Sequence, residues 1–211
     1  MTLSAKSTKL SGHSGRRESP RRSWAGNGTD LAGPLLGTTA QTRLGWLAVI
    51  GTESGVHSLT LGHAARRPAE QWCRRLTSVD GGQVLRHSTW PPWLTSAVDV
   101  LVRYAEGEIV ELSEVPIHWP DSTSFQRLVL QACRRIPYGR RRSYAELAAE
   151  AGSPRAARAV GNVMRTNRLP LLIPCHRVVG SQNHLGGFSA PGGTRLKQRL
   201  LDMEAAARPD D

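Results

Sequence analysis

Cys175, His176 and Arg177 stand side by side in "LLIPCHRVVG", residues 171–180, directly behind a proline. A cysteine attacks as its thiolate, and an ordinary thiol pKa of ~8.5 leaves little thiolate at neutral pH without a neighbouring base or positive charge. His176 is a base of the right kind. The apolar residues before Pro174 read as a buried strand, and a proline lacks the amide hydrogen needed to continue a ladder. The strand is therefore expected to break at Pro174 and to expose Cys175 at an edge. Successive side chains of an extended chain point to opposite faces, so a direct Cys175–His176 hydrogen bond and a water bridge both stay open. The plain alternative is a core thiol beside two incidental polar residues.

The elements that would position these groups lie just upstream. Phe125, Leu128, Val129, Ala132, Cys133 and Ile136 recur at helical spacing, which predicts one long helix with Cys133 on its core face. "SYAE" is a capping box, with Ser143 at the N-cap and Glu146 three residues on, opening a helix that stops at Gly152. A second helix is expected from Ser153 as cap and Pro154 as first residue, through "RAARAVGNVMR". Two short helices joined at a glycine make a helix-turn-helix candidate. Ala156, Ala157, Ala159 and Gly161 keep the second helix thin, while Arg155, Arg158 and Arg165 project from it. A thin basic helix suits close approach to a nucleic-acid backbone; a packed alanine-rich core helix is the plain alternative, which the three arginines disfavour.

The whole chain supports a polyanionic partner. Its 211 residues suit one large domain or two small ones, and its net charge is +11. Residues 1–40, 41–120 and 121–211 carry +4, −1 and +8, so the C-terminal part is the one that would meet the polyanion. Fourteen of the fifteen bases in that part are arginine, the residue suited to bidentate phosphate contacts, although a GC-rich genome gives the same bias. Three widely spaced cysteines without a C-x-x-C argue against a disulfide framework and fit a reducing cytoplasm. No apolar run approaches the ~20 residues of a membrane span, and no signal peptide is evident.

Residues 1–40 read as a disordered basic tail rich in Ser, Gly, Pro and Arg. Residues 41–119 read as a small α/β unit: a hairpin from "RLGWLAVIG" and "GVHSLTLG", a helix opening at Pro68, and a helix over "WLTSAVDVLVRYAEG". It offers no convergent set of catalytic types and is expected to be a scaffold. "WPDSTS" marks a boundary near residue 120, and residues 120–208 form the second unit.

"IPCHRVVG", preceded by "ARAVGNVMRTN" and "IPYGRRRSYAELAAEAG", closely resembles the O6-alkylguanine-DNA alkyltransferases, or methylated-DNA–protein-cysteine methyltransferases. The resemblance runs from about Leu44 to Glu204 and is densest from Phe125 onward. It implies an α+β fold, with a small ribonuclease-H-like N-terminal domain and a helical C-terminal domain holding a helix-turn-helix and the active-site strand and loop. It implies irreversible, single-turnover transfer of an alkyl group from O6-alkylguanine in double-stranded DNA, with O4-alkylthymine open as a second substrate. Cys175 would be the acceptor, His176 its base through a water, and Glu204 the residue that orients the histidine. Tyr144 would protonate the departing guanine, and Arg158 would enter the stack in place of the flipped nucleotide. Ala157 would mark a close DNA contact flanked by Arg155 and Arg165, and Asn167 would hinge the turn before the active-site strand. The Val178 backbone, Ser189 and Lys197 would hold the extruded base. No metal and no cofactor are implied, and a monomer without membrane contact is expected.

Two departures stand out: Arg168 follows Asn167 where the family usually has proline, and Ala190-Pro191 look inserted between Phe188 and Gly192. Two other classes compete. A Cys-His hydrolase needs an oxyanion hole that no motif supplies. A helix-turn-helix regulator or lesion sensor would bind DNA without using Cys175, and a tryptophan in its place would have indicated the alkyltransferase-like sensors.

Overall fold

The computed structural model describes residues 33–78 and 81–207. Three antiparallel strands, β1 (Leu36–Thr42), β2 (Gly45–Thr52) and β3 (Gly55–His63), form a meander. A short β4 (Gln83–Val84) pairs parallel to β1, giving the order β3-β2-β1-β4. The hairpin expected around "TESG" is therefore present as β2 and β3, with two strands, β1 and β4, beyond those the pattern announced. β1 begins inside the stretch assigned to the tail, which corrects that boundary; the rest of the tail, residues 1–32, lies outside the described residues. "LGTTAQT" has little apolar signal because β1 is held by its ladder, paired along its whole length with β2 and at its start with β4.

Helix α1 (Arg66–Thr77) lies on one sheet face, where Ala69 and Cys73 pack with Leu35, Ala48 and Ile50. It starts two residues before Pro68. Helix α2 (Pro92–Ala105) belongs to the other face, and its Leu94, Val98, Leu101 and Tyr104 share a core with Leu47, Val49, Leu59 and Leu61. β2 is buried on both faces, which is why "LAVI" reads as a continuous apolar run rather than an alternation.

The C-terminal part is built from helices. α3 (Ser124–Arg134) opens with a Thr123–Gln126 capping box and buries Val129, Leu130, Ala132 and Cys133. β5 (Arg142–Ser143) leads into α4 (Tyr144–Glu150), whose Ser143–Glu146 capping box forms as the sequence predicts. α5 (Ala157–Arg165) starts three residues later than expected. Pro154 instead sits in a turn closed by the Ala156 amide on the Ser153 carbonyl (2.9 Å), a place its fixed φ suits equally well. Arg155 thus precedes the helix. β6 (Val178–Val179) pairs parallel with β5, and α6 (Gly193–Ala206) closes the chain.

The class is α+β, and the boundary near residue 120 does not divide the core. One apolar cluster runs from Leu47 and Leu101 through Val129 and Leu147 to Ile173 and Leu200. Two contacts fasten the halves beside the loops that matter below. The Leu59 amide donates to the Arg168 carbonyl at 2.8 Å, and a Cβ on Gly62 (φ +84°) would stand 2.5 Å from the Pro191 carbonyl oxygen. The two departures from the family pattern, Arg168 and Ala190-Pro191, are both docked on β3.

Candidate active site

Leu169–Ile173 do not form a strand, which corrects the expectation for "LLI". Leu171 adopts a left-handed φ of +71°, a conformation incompatible with extended pairing. Pro174, at φ −76° and ψ 65°, centres a tight turn in which the Cys175 amide donates to the Ile173 carbonyl at 2.7 Å. Cys175–Arg177 then form one turn of 3₁₀ helix. Asn167 ties both ends of this loop: its Nδ2 donates to the Ile173 carbonyl (2.8 Å) and its Oδ1 accepts from the Leu169 amide (3.0 Å).

The turn buries its reactive residues rather than exposing them at an edge. Cys175 is 6% exposed, His176 0% and Arg177 7%. Helix α6 supplies their partners, because Leu196, Lys197, Leu200, Leu201 and Glu204 line its buried side. Glu204 Oε1 accepts from His176 Nε2 at 3.0 Å and from Arg177 Nη2 at 2.8 Å, while Oε2 accepts from Arg177 Nε at 3.1 Å and from the Gly139 amide at 3.1 Å. Arg177 Nη1 donates to the Ile136 carbonyl at 2.6 Å. Lys197, with no exposed surface, donates to the Val178 carbonyl at 2.5 Å.

These surroundings set the protonation states. Burial pushes the Cys175 thiol above its usual value, while the Asn167 amide and the Lys197 charge pull the other way. The resting group is a thiol that needs a base. Burial lowers the His176 pKa more than Glu204 raises it, so the imidazole is neutral and able to accept a proton. Burial also acts against the Glu204 carboxylate, but His176 and Arg177 outweigh it and hold the pKa down at about 2. Burial brings Lys197 down to about 8, partly opposed by Cys175 and Cys133. A carboxylate accepts only, so His176 Nε2 carries the ring proton toward Glu204. Nδ1, buried and without a hydrogen-bond partner among the described residues, is the basic nitrogen.

Tyr144, the first residue of α4, is half-buried between Gly161 of α5 and Gly186. A Cβ at Gly186 (φ +65°) would meet the Tyr144 hydroxyl at 2.7 Å, so this close approach requires glycine. Burial, then the proximity of Cys175 and Cys133, raises the Tyr144 pKa, so the phenol keeps a proton to give. A half-open cavity of about 740 Å³ lies at the back of the turn, lined by Pro174, Arg177, Trp119 and Tyr138 but by neither Cys175 nor Tyr144. Arg155, Arg158 and Arg165 are exposed on and before α5, Ala157 is half-buried, and Ser189 is exposed in the loop before α6. No hydrogen bond among the described residues joins these four exposed residues to the cysteine's group.

Two participants escaped the sequence. Arg177 is visible beside Cys175, but its pairing with a carboxylate 27 residues away is not. Tyr104 lies in the unit expected to be only a scaffold, yet its hydroxyl stands 2.5 Å from Glu204 Oε1 and 3.1 Å from His176 Nε2. Its apolar spacing on α2 gave a core signal and no other.

Fold and site together define an α+β protein whose buried cysteine is followed by a histidine hydrogen-bonded to a glutamate, with an arginine-bearing helix pair in the same half of the chain. Residues 124–206 match the model of the family described as 6-O-methylguanine DNA methyltransferase, DNA binding domain. The chain is 40% identical over 167 residues to the constitutive methylated-DNA–protein-cysteine methyltransferase of Bacillus subtilis, covering 79% of this chain and 93% of that one. It is 37% identical over 174 residues to the human methylated-DNA–protein-cysteine methyltransferase, covering 79% of each. The crystal structure of Mycobacterium tuberculosis O6-methylguanine methyltransferase superposes with a TM-score of 0.66 at 32% identity, covering 84% of this chain and 96% of that one. A structure of the Mycobacterium tuberculosis protein in complex with DNA superposes at 0.61 and 31% identity, covering 82% and 95%. The chain belongs to the methylated-DNA–protein-cysteine methyltransferase family.

Proposed function

We propose that this protein repairs double-stranded DNA by moving the alkyl group of O6-alkylguanine irreversibly onto Cys175, acting as a monomer. The observation that carries this reading is the buried Cys175–His176–Glu204 arrangement, set in a chain of this family. His176 Nδ1 takes the thiol proton, directly or through a water, and Glu204 stabilises the resulting imidazolium. The Cys175 sulfur then forms a bond to the alkyl carbon as the carbon–O6 bond breaks, and Tyr144 gives its proton to the departing guanine. Lys197 favours the thiolate electrostatically and fixes the Val178 carbonyl, so that carbonyl supports the wall of the base pocket rather than binding the base alone. Ser189 and Asn167 complete the pocket, the first from its exposed loop and the second by bracing the turn.

The exposed arginines fit the DNA-facing role. Arg158 on α5 would replace the flipped nucleotide, Ala157 would allow close backbone approach, and Arg155 and Arg165 would meet phosphates. A helix-turn-helix formed by α4 and α5 is the docking element in this proposal. The test is direct: incubate the protein with a duplex containing one labelled O6-methylguanine. Label recovered on the peptide carrying Cys175 is the expected result; label that stays on the DNA would remove the proposal.

A further inference from the structure

Tyr104 is the one side chain from the N-terminal part hydrogen-bonded to the charged group around Cys175 among the described residues. It is 0% exposed and comes from α2, 72 residues before His176 and 100 before Glu204. A phenol has one proton and its oxygen also accepts. Glu204 Oε1, at 2.5 Å, can only accept, so the Tyr104 proton points there. The Tyr104 oxygen is then left to accept from His176 Nε2 at 3.1 Å, the same nitrogen that donates to Glu204 at 3.0 Å. Burial and the negative Glu204 beside it push the phenol pKa well up, so it stays a donor at neutral pH. Arg177 and the Gly139 amide take the rest of Glu204, so Oε1, shared with Arg177, is one acceptor for the Nε2 proton and the Tyr104 oxygen is the second.

We infer that Tyr104 is a positioning residue, which holds the His176 ring proton on Nε2 and thereby keeps Nδ1 free as the base toward Cys175. The sequence of hydrogen bonds Tyr104→Glu204 and His176→Tyr104/Glu204 is closed, with every proton assigned and a single acceptor nitrogen left over. Through Tyr104 the N-terminal part acts on the chemistry as well as on stability. Nothing in this assignment needs Tyr104 to touch DNA or the alkyl group.

The inference rests on the proposed alkyl transfer for its kinetic readout, and it has a second readout that does not. In the DNA-free protein, ¹⁵N chemical shifts of His176 should report a protonated Nε2 and a bare Nδ1; in Tyr104→Phe, which keeps the ring and removes the hydroxyl, the two tautomers should mix. Single-turnover transfer from O6-methylguanine duplex should slow about ten-fold or more in Tyr104→Phe, with duplex affinity unchanged. In a Glu204→Gln background the same change should slow transfer by less than about two-fold, because the two residues act as one unit. An unchanged tautomer in Tyr104→Phe, or equal slowing in both backgrounds, would overturn the assignment. Wild-type protein that transfers nothing would sink the proposed function instead, and the tautomer measurement would still judge Tyr104.

Discussion

Arginine does two opposite things in this molecule. Arg177 is buried, with its guanidinium spent on the Glu204 carboxylate and the Ile136 carbonyl. Arg155, Arg158 and Arg165, on and before α5, are exposed and face outward. The buried charge is expensive to move into the interior and stays only because its partners are fixed. The exposed charges cost the fold little and are available to a phosphate backbone. In the proposed mechanism the interior group should set stability and chemistry together, while the surface group should set DNA engagement alone.

The largest effect should come from breaking the interior group. Glu204→Ala leaves Arg177 buried and unpaired, which should destabilise the protein by about 3–5 kcal/mol in urea unfolding. A loss below about 1 kcal/mol would show that water reaches the site. The same carboxylate gives a pH signature. Its folded pKa, about 2, lies below the ordinary 4.5, so its contribution to stability is full above about pH 4.5 and is lost as pH falls toward 2. Glu204→Gln should flatten that acid limb. Lys197 gives a slope of the same sign in another range: its folded pKa of about 8 lies below 10.5, so the unfolded chain binds more protons between these values and stability should rise as pH climbs from about 8.

Asn167→Ala should come next. It removes two hydrogen bonds that hold the turn before Cys175, each worth about 0.5–1.5 kcal/mol, and frees the strained φ of Leu171 to relax. Transfer should slow more than stability falls, since the cysteine is held by that turn; an unaffected rate would mean that Arg168, docked on Leu59, suffices as the anchor.

The surface side of the comparison should barely register in stability. Arg158→Ala is expected to change unfolding by no more than about 0.5 kcal/mol, yet to slow transfer in duplex more than in single strands, which have no stack to hold open. Equal slowing on both substrates would assign Arg158 to a phosphate. If about five phosphates are contacted, log affinity should fall against log salt with a slope of about −4 to −5, and each exposed arginine removed should reduce it by about one.

What the sequence disclosed follows the same division. Local signals were legible: the Ser143–Glu146 capping box, the core face of α3 except for Leu128, which is exposed while Leu130 is buried, and the adjacency of Cys175 and His176 all depend on residues within a few positions. Glu204 and Lys197 were reached only through the family resemblance, because no spacing links a C-terminal helix to a turn 20 to 30 residues earlier. Tyr104 was invisible, since a buried tyrosine at helical spacing looks the same whether its hydroxyl meets a catalytic pair or a backbone carbonyl. The strand expected at "LLI" failed for a tertiary reason: the apolar run packs into the core as an irregular loop braced by Asn167, with no ladder partner. β1 was missed for the converse reason, a regular ladder built from residues with little apolar pattern.

The central claim is that Cys175 is a terminal acceptor. A thiolate that displaces guanine from a saturated carbon yields a thioether, which offers water no carbonyl to attack and no good leaving group. Cys73 and Cys133 are buried with thiols pushed up by burial, Cys73 to about 12, and neither has a histidine next to it in the chain as Cys175 does. The decisive measurement is the stoichiometry and site of transfer from an excess of labelled O6-methylguanine duplex, read by mass spectrometry of the digested protein. The account predicts one alkyl group per molecule, on Cys175, followed by permanent inactivity. Sustained turnover beyond one equivalent, or label on Cys73 or Cys133, would contradict it.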